Sequence, residues 1–227
     1  MGKQLIQQRR GKGSVFRAPS HRFFTDSKYK ASGEGFIVDI IHDSARYCPL
    51  MVTKFKGVRE FLIAPQGVRV GNKISYDGDA KVGNILSLEK IPEGTQICNI
   101  EIAPKDGGKI CRSPGTFATV IGHEKDRCII TLPSKASKKL SNKCRATIGI
   151  VAGAGQKMKP FLKAGARFYG QKAKGRYYPV VSASAMNVVA HPFGGKTSPG
   201  KPRSISRHAP PGKKVGSISP KRTGRGK

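Results

Sequence analysis

The chain has 227 residues, 43 Lys plus Arg against 13 Asp plus Glu, and a formal net charge of +30. That length allows one or two small domains with tails, and a charge so far from zero selects a polyanionic partner: phosphate-rich nucleic acid, with an anionic lipid surface as the rival. The five cysteines are far apart and form no C-x-x-C pair, which excludes an ordinary zinc ribbon or a disulfide scaffold and leaves reduced, buried, structural thiols.

In chain order, residues 1–25 carry six basic side chains and no acidic one. They contain no apolar run of the kind a secretory signal needs, so a basic N-terminal arm is expected over 1–33. Residues 26–126 hold 14 basic and all 13 acidic side chains. Here short apolar or alternating runs are separated by Gly and Pro, which predicts strands. The first group is 36–42 (FIVDIIH), 49–55, 60–64 and 73–76, with turns at Lys56-Gly57, Pro65-Gln66-Gly67 and Asp77-Gly78. The second is 96–102, 117–122, 127–132 and 145–151, opening after Pro92-Glu93-Gly94. Turn signals about every 8–12 residues favour small barrels over helix-containing α/β folds. Two tandem barrels split near 80–92 fit this count, and oligonucleotide-binding barrels belong to that architectural class. One larger barrel is the alternative. A short helix around 160–168 is expected, with Pro160 in its first turn.

Residues 127–227 carry 23 basic side chains and no acid. From Lys196 onward the chain has no hydrophobic period and many Pro and Gly breakers, so it cannot bury enough apolar surface to offset the entropy of ordering. Such a tail suits an extended path along RNA, and is expected to be disordered without it. Residues 177–195 have no formal charge, but Pro, Asn, His and Ser make them unsuitable as a bilayer span. Within them lies 185–195 (AMNVVAHPFGG), an uncharged island in the acid-free arm. Gly194-Gly195 would permit close backbone approach, and His191-Pro192 would fix a turn and offer a ring for stacking or hydrogen bonding. A plain loop covering a barrel is the other reading.

No catalytic constellation accompanies these elements: there is no G-x-S-x-G elbow, phosphate-binding loop of the Walker type or HExxH motif. Asp77-Gly78-Asp79 reads as a hairpin turn. No acid follows Asp126, so His191 has no carboxylate near it in sequence. An enzyme acting through His191 and a chromatin-like DNA binder are the competing function classes.

The segment AMNVVAHPFGG resembles the signature of the universal large-subunit ribosomal protein L-two family. The likeness covers nearly the whole chain. Arg9-Arg10-Gly11-Lys12-Gly13-Ser14-Val15-Phe16-Arg17-Ala18 is similar to the N-terminal arm of its archaeal and eukaryotic branch. Ile91-Pro92-Glu93-Gly94-Thr95 with Cys98-Asn99-Ile100-Glu101 is similar to its inter-domain segment, Cys144-Arg145-Ala146-Thr147-Ile148-Gly149 to the end of its second barrel, and Lys163-Ala164-Gly165 to the start of its tail.

The resemblance implies a mainly β fold with an oligonucleotide-binding (OB) barrel over 34–82, an SH3-like barrel over 83–158 and an extended basic tail over 159–227. It implies a non-catalytic, cytoplasmic constituent of the large ribosomal subunit without cofactor or metal. Its partners would be large-subunit rRNA, neighbouring ribosomal proteins and the small subunit, with the tail running toward the peptidyl-transferase region and no membrane involved. The expected RNA-binding residues are Arg9, Arg10, Lys12, Arg17, Arg145, Lys163, Arg167, Lys172, Lys174, Met186, Asn187, His191, Pro192, Gly194, Gly195, Lys196, Arg203 and Arg207. Two departures stand out. Ala190 replaces the acidic residue that precedes His-Pro in relatives, and 177–184 (YYPVVSAS) replaces a stretch with Trp and Arg, where Tyr177 or Tyr178 is expected to stack.

Overall fold

A computed structural model of the protein describes residues 2–196 and 202–222. The parts of the expected tail at 197–201 and 223–227 lie outside the described residues. The chain divides into two compact units: a β unit, Pro19–Leu162, and a terminal unit made of Met1–Ala18 with Lys163–Lys227.

The β unit holds two antiparallel sheets. The first contains β1 (Glu34–Ile41), β2 (Leu50–Phe55), β3 (Val58–Ile63) and β4 (Lys73–Ser75), in the order β3-β2-β1-β4. The second contains β5 (Ile85–Ser87), β6 (Gln96–Cys98), β7 (Ala118–His123), β8 (Arg127–Thr131), β9 (Ser137–Ser141) and β10 (Arg145–Ile148), in the order β5-β10-β6-β7-β8-β9. The strands thus form two sheets, of four and six strands. β5 and β9 were not expected: β5 falls inside the presumed linker, and β9 (SKKLS) buries little besides Leu140 because it is an edge strand. The β2–β3 hairpin closes through Lys56 and Gly57, both at positive φ (45° and 87°), the two-residue turn whose twist matches that of its strands.

Each sheet has its own core. Ile37, Met51, Phe55, Leu62 and Ile74 pack under the first, and Ile97, Ile100, Val120, Ile130 and Ile148 under the second. A third cluster joins them: Leu50 and Ile63 at one end of the first sheet meet Cys98 and Val151, with Cys48 beside them. That shared core explains why β2 reads as a nearly continuous buried run, since its two faces are covered by different partners. All five cysteines are free, and burial pushes their thiols up, Cys98 to about 12 and Cys111 and Cys128 to about 11. A protonated, buried thiol packs as a small apolar group.

Residues 19–33, counted above with the N-terminal arm, are bound into the β unit. Ser27 and Tyr29 are buried. The Arg112 guanidinium donates to the Ser27 carbonyl at 3.0 Å, and the Tyr29 hydroxyl donates to the Asn99 carbonyl at 2.7 Å and meets Thr147 Oγ1 at 2.7 Å. The amides of Lys30 and Ala31 donate to the buried carboxylate of Glu60, which also accepts from the Tyr76 hydroxyl at 2.7 Å. Nearer the start, Arg46 pairs with buried Asp43, donates to the Thr25 carbonyl at 2.8 Å and lies 4.9 Å from the Phe23 ring centroid. A segment rich in polar groups is held down because its carbonyls and amides meet side chains of the β unit, Arg112 and Arg46 as donors and the buried Glu60 as acceptor.

The helix expected at 160–168 forms later, as Ala164–Ala173 in the terminal unit. Lys163 precedes it in extended conformation (φ −126°, ψ 139°), so Pro160 lies outside, and Gly175 (φ 62°) follows its end. Among the described residues, no helix is long and apolar enough to cross a membrane.

Candidate nucleic-acid interface

The terminal unit begins with a short helix, α1 (Ile6–Arg9). The Leu5 amide donates to Gln8 Oε1 at 2.9 Å, closing its first turn, and Leu5 itself is buried. Ahead of it, the Lys3 amide donates to the Val189 carbonyl at 2.8 Å, which ties the beginning of the chain to the uncharged island. Ala164–Ala173, now α2, is followed by Tyr177 and Tyr178. Tyr177 stacks on Phe16 with ring centroids 6.0 Å apart, and the Arg167 guanidinium lies 5.0 Å from the Tyr178 ring. The expected stacking role of these tyrosines is therefore occupied, at least on one face of each ring, by the protein's own groups.

The island is a self-bonded loop. His191 and Ala190 donate their amides to the Asn187 carbonyl, Gly194 donates to His191 O at 2.9 Å, and Gly195 donates to Met186 O at 3.0 Å. Gly194 is buried, and a Cβ there would sit 2.5 Å from the Asn187 carbonyl oxygen, so a side chain would force the loop open. Gly195 has φ 98°, a conformation that glycine tolerates best. The Phe193 amide donates to His191 Nδ1 at 3.0 Å. That bond requires an unprotonated Nδ1, which puts the ring proton of the neutral tautomer on Nε2. Burial also lowers the pKa of His191 below its ordinary value.

The tail returns to this loop. Two short strands, β11 (Ser204–Ile205) and β12 (Ser217–Ile218), pair in parallel, and the Arg203 guanidinium lies 5.9 Å from the Phe193 ring. Among the described residues, the tail therefore pairs with itself and reaches Phe193 of the loop.

Between these elements lies a cleft of about 1320 Å³. Arg9, Arg10, Met186, Asn187 and His191 line it, so five of the expected RNA-binding residues are brought together although they lie at opposite ends of the sequence. Lys3, Arg176 and Lys214 line it as well, and composition had not distinguished these three from other basic residues. Lys12, Arg17, Lys163, Arg167, Lys172, Lys196, Arg203 and Arg207 are exposed elsewhere on this unit, and Lys174 caps the end of α2. Pro192, Gly194 and Gly195 shape the loop without lining the cleft. The unit as a whole has 20 Lys and Arg and no Asp or Glu, while the buried apolar residues in it are Leu5 and Ala173 among those described.

Arg145 stands apart, in the β unit. Its Nη2 and Nε donate to the Glu101 carboxylate at 2.9 and 3.3 Å, Nη2 also reaches the Tyr29 carbonyl at 3.3 Å, and the guanidinium lies 5.3 Å from the Tyr29 ring. Glu101 is fully buried and takes further amides from Lys105, Gly107 and Arg145 itself. Arg145 thus holds the 27–31 segment to the second sheet.

A family model described as "Ribosomal Proteins L2, C-terminal domain" matches residues 81–215. The full chain is 48% identical to the large ribosomal subunit protein uL2 of Methanocella arvoryzae, with all of both chains covered. It is 47% identical to the uL2 proteins of Haloarcula marismortui, covering 100% of this chain and 99% of that one, and of Methanobrevibacter smithii, covering 99% of each.

Proposed function

The chain belongs to the ribosomal protein L2 family, archaeal type, and from that premise we propose how it works as a structural constituent of the large ribosomal subunit that binds rRNA. The observation that carries the proposal is the terminal unit, which has 20 cations and no acid in its sequence and buries only Leu5 and Ala173 as apolar residues among those described. A chain segment of that composition gains its order from an external polyanion, through phosphate contacts and counterion release.

In this reading the β unit supplies a stable platform, with an OB barrel over 34–82 and an SH3-like barrel over 83–158. The terminal unit penetrates folded rRNA. Arg9, Arg10, Lys3, Arg176 and Lys214 neutralise phosphates at the cleft, while Asn187 and the Nε2–H of His191 hydrogen-bond to RNA and Met186 packs against it. Lys12, Arg17, Lys163, Arg167, Lys172, Lys174, Lys196, Arg203 and Arg207 extend the phosphate contacts. Pro192, Gly194 and Gly195 keep the loop thin enough for close approach. The unit supports the architecture of the peptidyl-transferase region and the association of the two subunits, with neighbouring ribosomal proteins and the small subunit as further partners. The protein supplies no catalytic group in this reading: Ala190 stands beside His191 in place of a carboxylate, and with its Nδ1 taken by the Phe193 amide the ring serves as a neutral donor.

Salt titration of rRNA-fragment binding tests this. With ~6–10 phosphate contacts, affinity should fall ~10³–10⁵-fold between 50 and 200 mM salt. A flat response contradicts it.

A further inference from the structure

The first sheet carries a basic surface of its own, made of residues not assigned above. Side chains directly opposite one another on antiparallel strands share a face. Arg59 of β3 is opposite Lys54 of β2, Lys54 is opposite Phe36 of β1, and Phe36 is opposite Lys73 of β4. The four form one row across the whole sheet. All four are exposed, Phe36 at 47%, and none of the three cations is ion-paired among the described residues.

Next to this row the face is partly covered, while Glu34 and Asp39 of β1, on the same face, are exposed. Ile63 and Leu50 enter the core shared with the second sheet, and Phe61, beside Val52, packs against Phe24 with ring centroids 5.4 Å apart. A large aromatic within a strand and flanked by cations on both neighbouring strands is left open among the described residues.

We infer that the Arg59–Lys54–Phe36–Lys73 row is a stacking platform for an unpaired RNA nucleotide. A base lying on Phe36 has a cation one strand spacing away on either side, ~4.8 Å, and a second two spacings away toward β3. Glu34 and Asp39, on the same face to either side of Phe36 along β1, repel phosphate from both directions along the strand and bias the backbone across the row toward the cations. Three cations around one ring favour a polyanion with π faces over a protein partner, whose contact would leave the cations to be desolvated without partners.

The inference rests on the RNA-binding reading, and its test separates the two. The chain contains no Trp, so Phe36→Trp creates a single indole at the platform. The full-length variant is titrated with a fluorescently labelled short oligoadenylate, reading RNA anisotropy for total binding and indole emission for the platform, with inorganic polyphosphate as the phosphate-only control. Stacking is expected to quench the indole about twofold or more with oligoadenylate and to leave it unchanged with polyphosphate. In the otherwise unaltered chain, Phe36→Ala should weaken oligoadenylate binding about fivefold or more while Phe36→Tyr retains it. RNA binding with an unchanged indole overturns the platform but leaves the RNA reading intact; equal quenching by polyphosphate overturns it too. An emission shift that depends on protein concentration alone overturns it in favour of self-association. No anisotropy change at all overturns both.

Discussion

Replacing Arg145 with Ala separates a role inside the protein from a role on RNA. The substitution deletes the charge-assisted bonds to Glu101, the bond to the Tyr29 carbonyl and the guanidinium beside the Tyr29 ring. Breaking a buried ion pair by removing one partner costs about 3–5 kcal/mol. Glu101 keeps three backbone amide donors, from Lys105, Gly107 and residue 145, so its charge is not left bare and the loss falls at the lower end. We expect about 3 kcal/mol, which for a unit of this size lowers the melting temperature by roughly 10 °C. Chemical denaturation and thermal melting followed by circular dichroism read this directly, in high salt to screen the arms. The double variant Arg145→Ala/Glu101→Gln should be less destabilised than the sum of the single variants, because neutralising Glu101 removes the orphaned charge. An unchanged melting temperature together with rRNA affinity weakened by about 1–3 kcal/mol would refute the argument, since Arg145 would then spend its donors on RNA.

Further predictions concern the terminal unit. Gly194→Ala should leave the melting of the β unit unchanged and weaken binding to an rRNA fragment, measured by filter retention, because the added Cβ collides with the Asn187 carbonyl and displaces His191 and Asn187 together. His191 should titrate below 6.5 by NMR. The unfolded chain then binds a proton before the folded loop does, so the loop's stability is retained above pH 6.5 and declines as pH falls through the interval down to the folded midpoint. A midpoint above 6.5 would show that Nδ1 does not accept the Phe193 amide. Limited proteolysis of RNA-free protein should leave a resistant fragment close to 19–162, identified by mass spectrometry, with 19–33 retained because that segment is bonded to both sheets.

The sequence announced what is local. Alternating runs and Gly turns located eight of the ten strands of the β unit, and the charge partition anticipated a terminal region without acids. It did not announce pairings across long separations. Nothing around Tyr29 marks it as buried, because its partners Asn99, Thr147 and Arg145 lie 70 to 118 residues away. Glu60 and Glu101 look like ordinary surface carboxylates until the amides that satisfy them are seen. The loop at 185–195 was legible from its two glycines and missing charge, whereas its meeting with Lys3, Arg9 and Arg10 depends on the chain's two ends coming together. β5 escaped because it lies in the 80–92 stretch, which reads as the link between the two groups of strands.

Amide hydrogen exchange of the full chain, with and without a large-subunit rRNA fragment, tests the central claim most directly. With Leu5 and Ala173 as its described apolar core, the terminal unit should exchange rapidly at 2–18 and 163–196 when RNA is absent and become protected when RNA is added, while the two sheets are protected throughout. Protection of those segments equal to that of the sheets in RNA-free protein would contradict it.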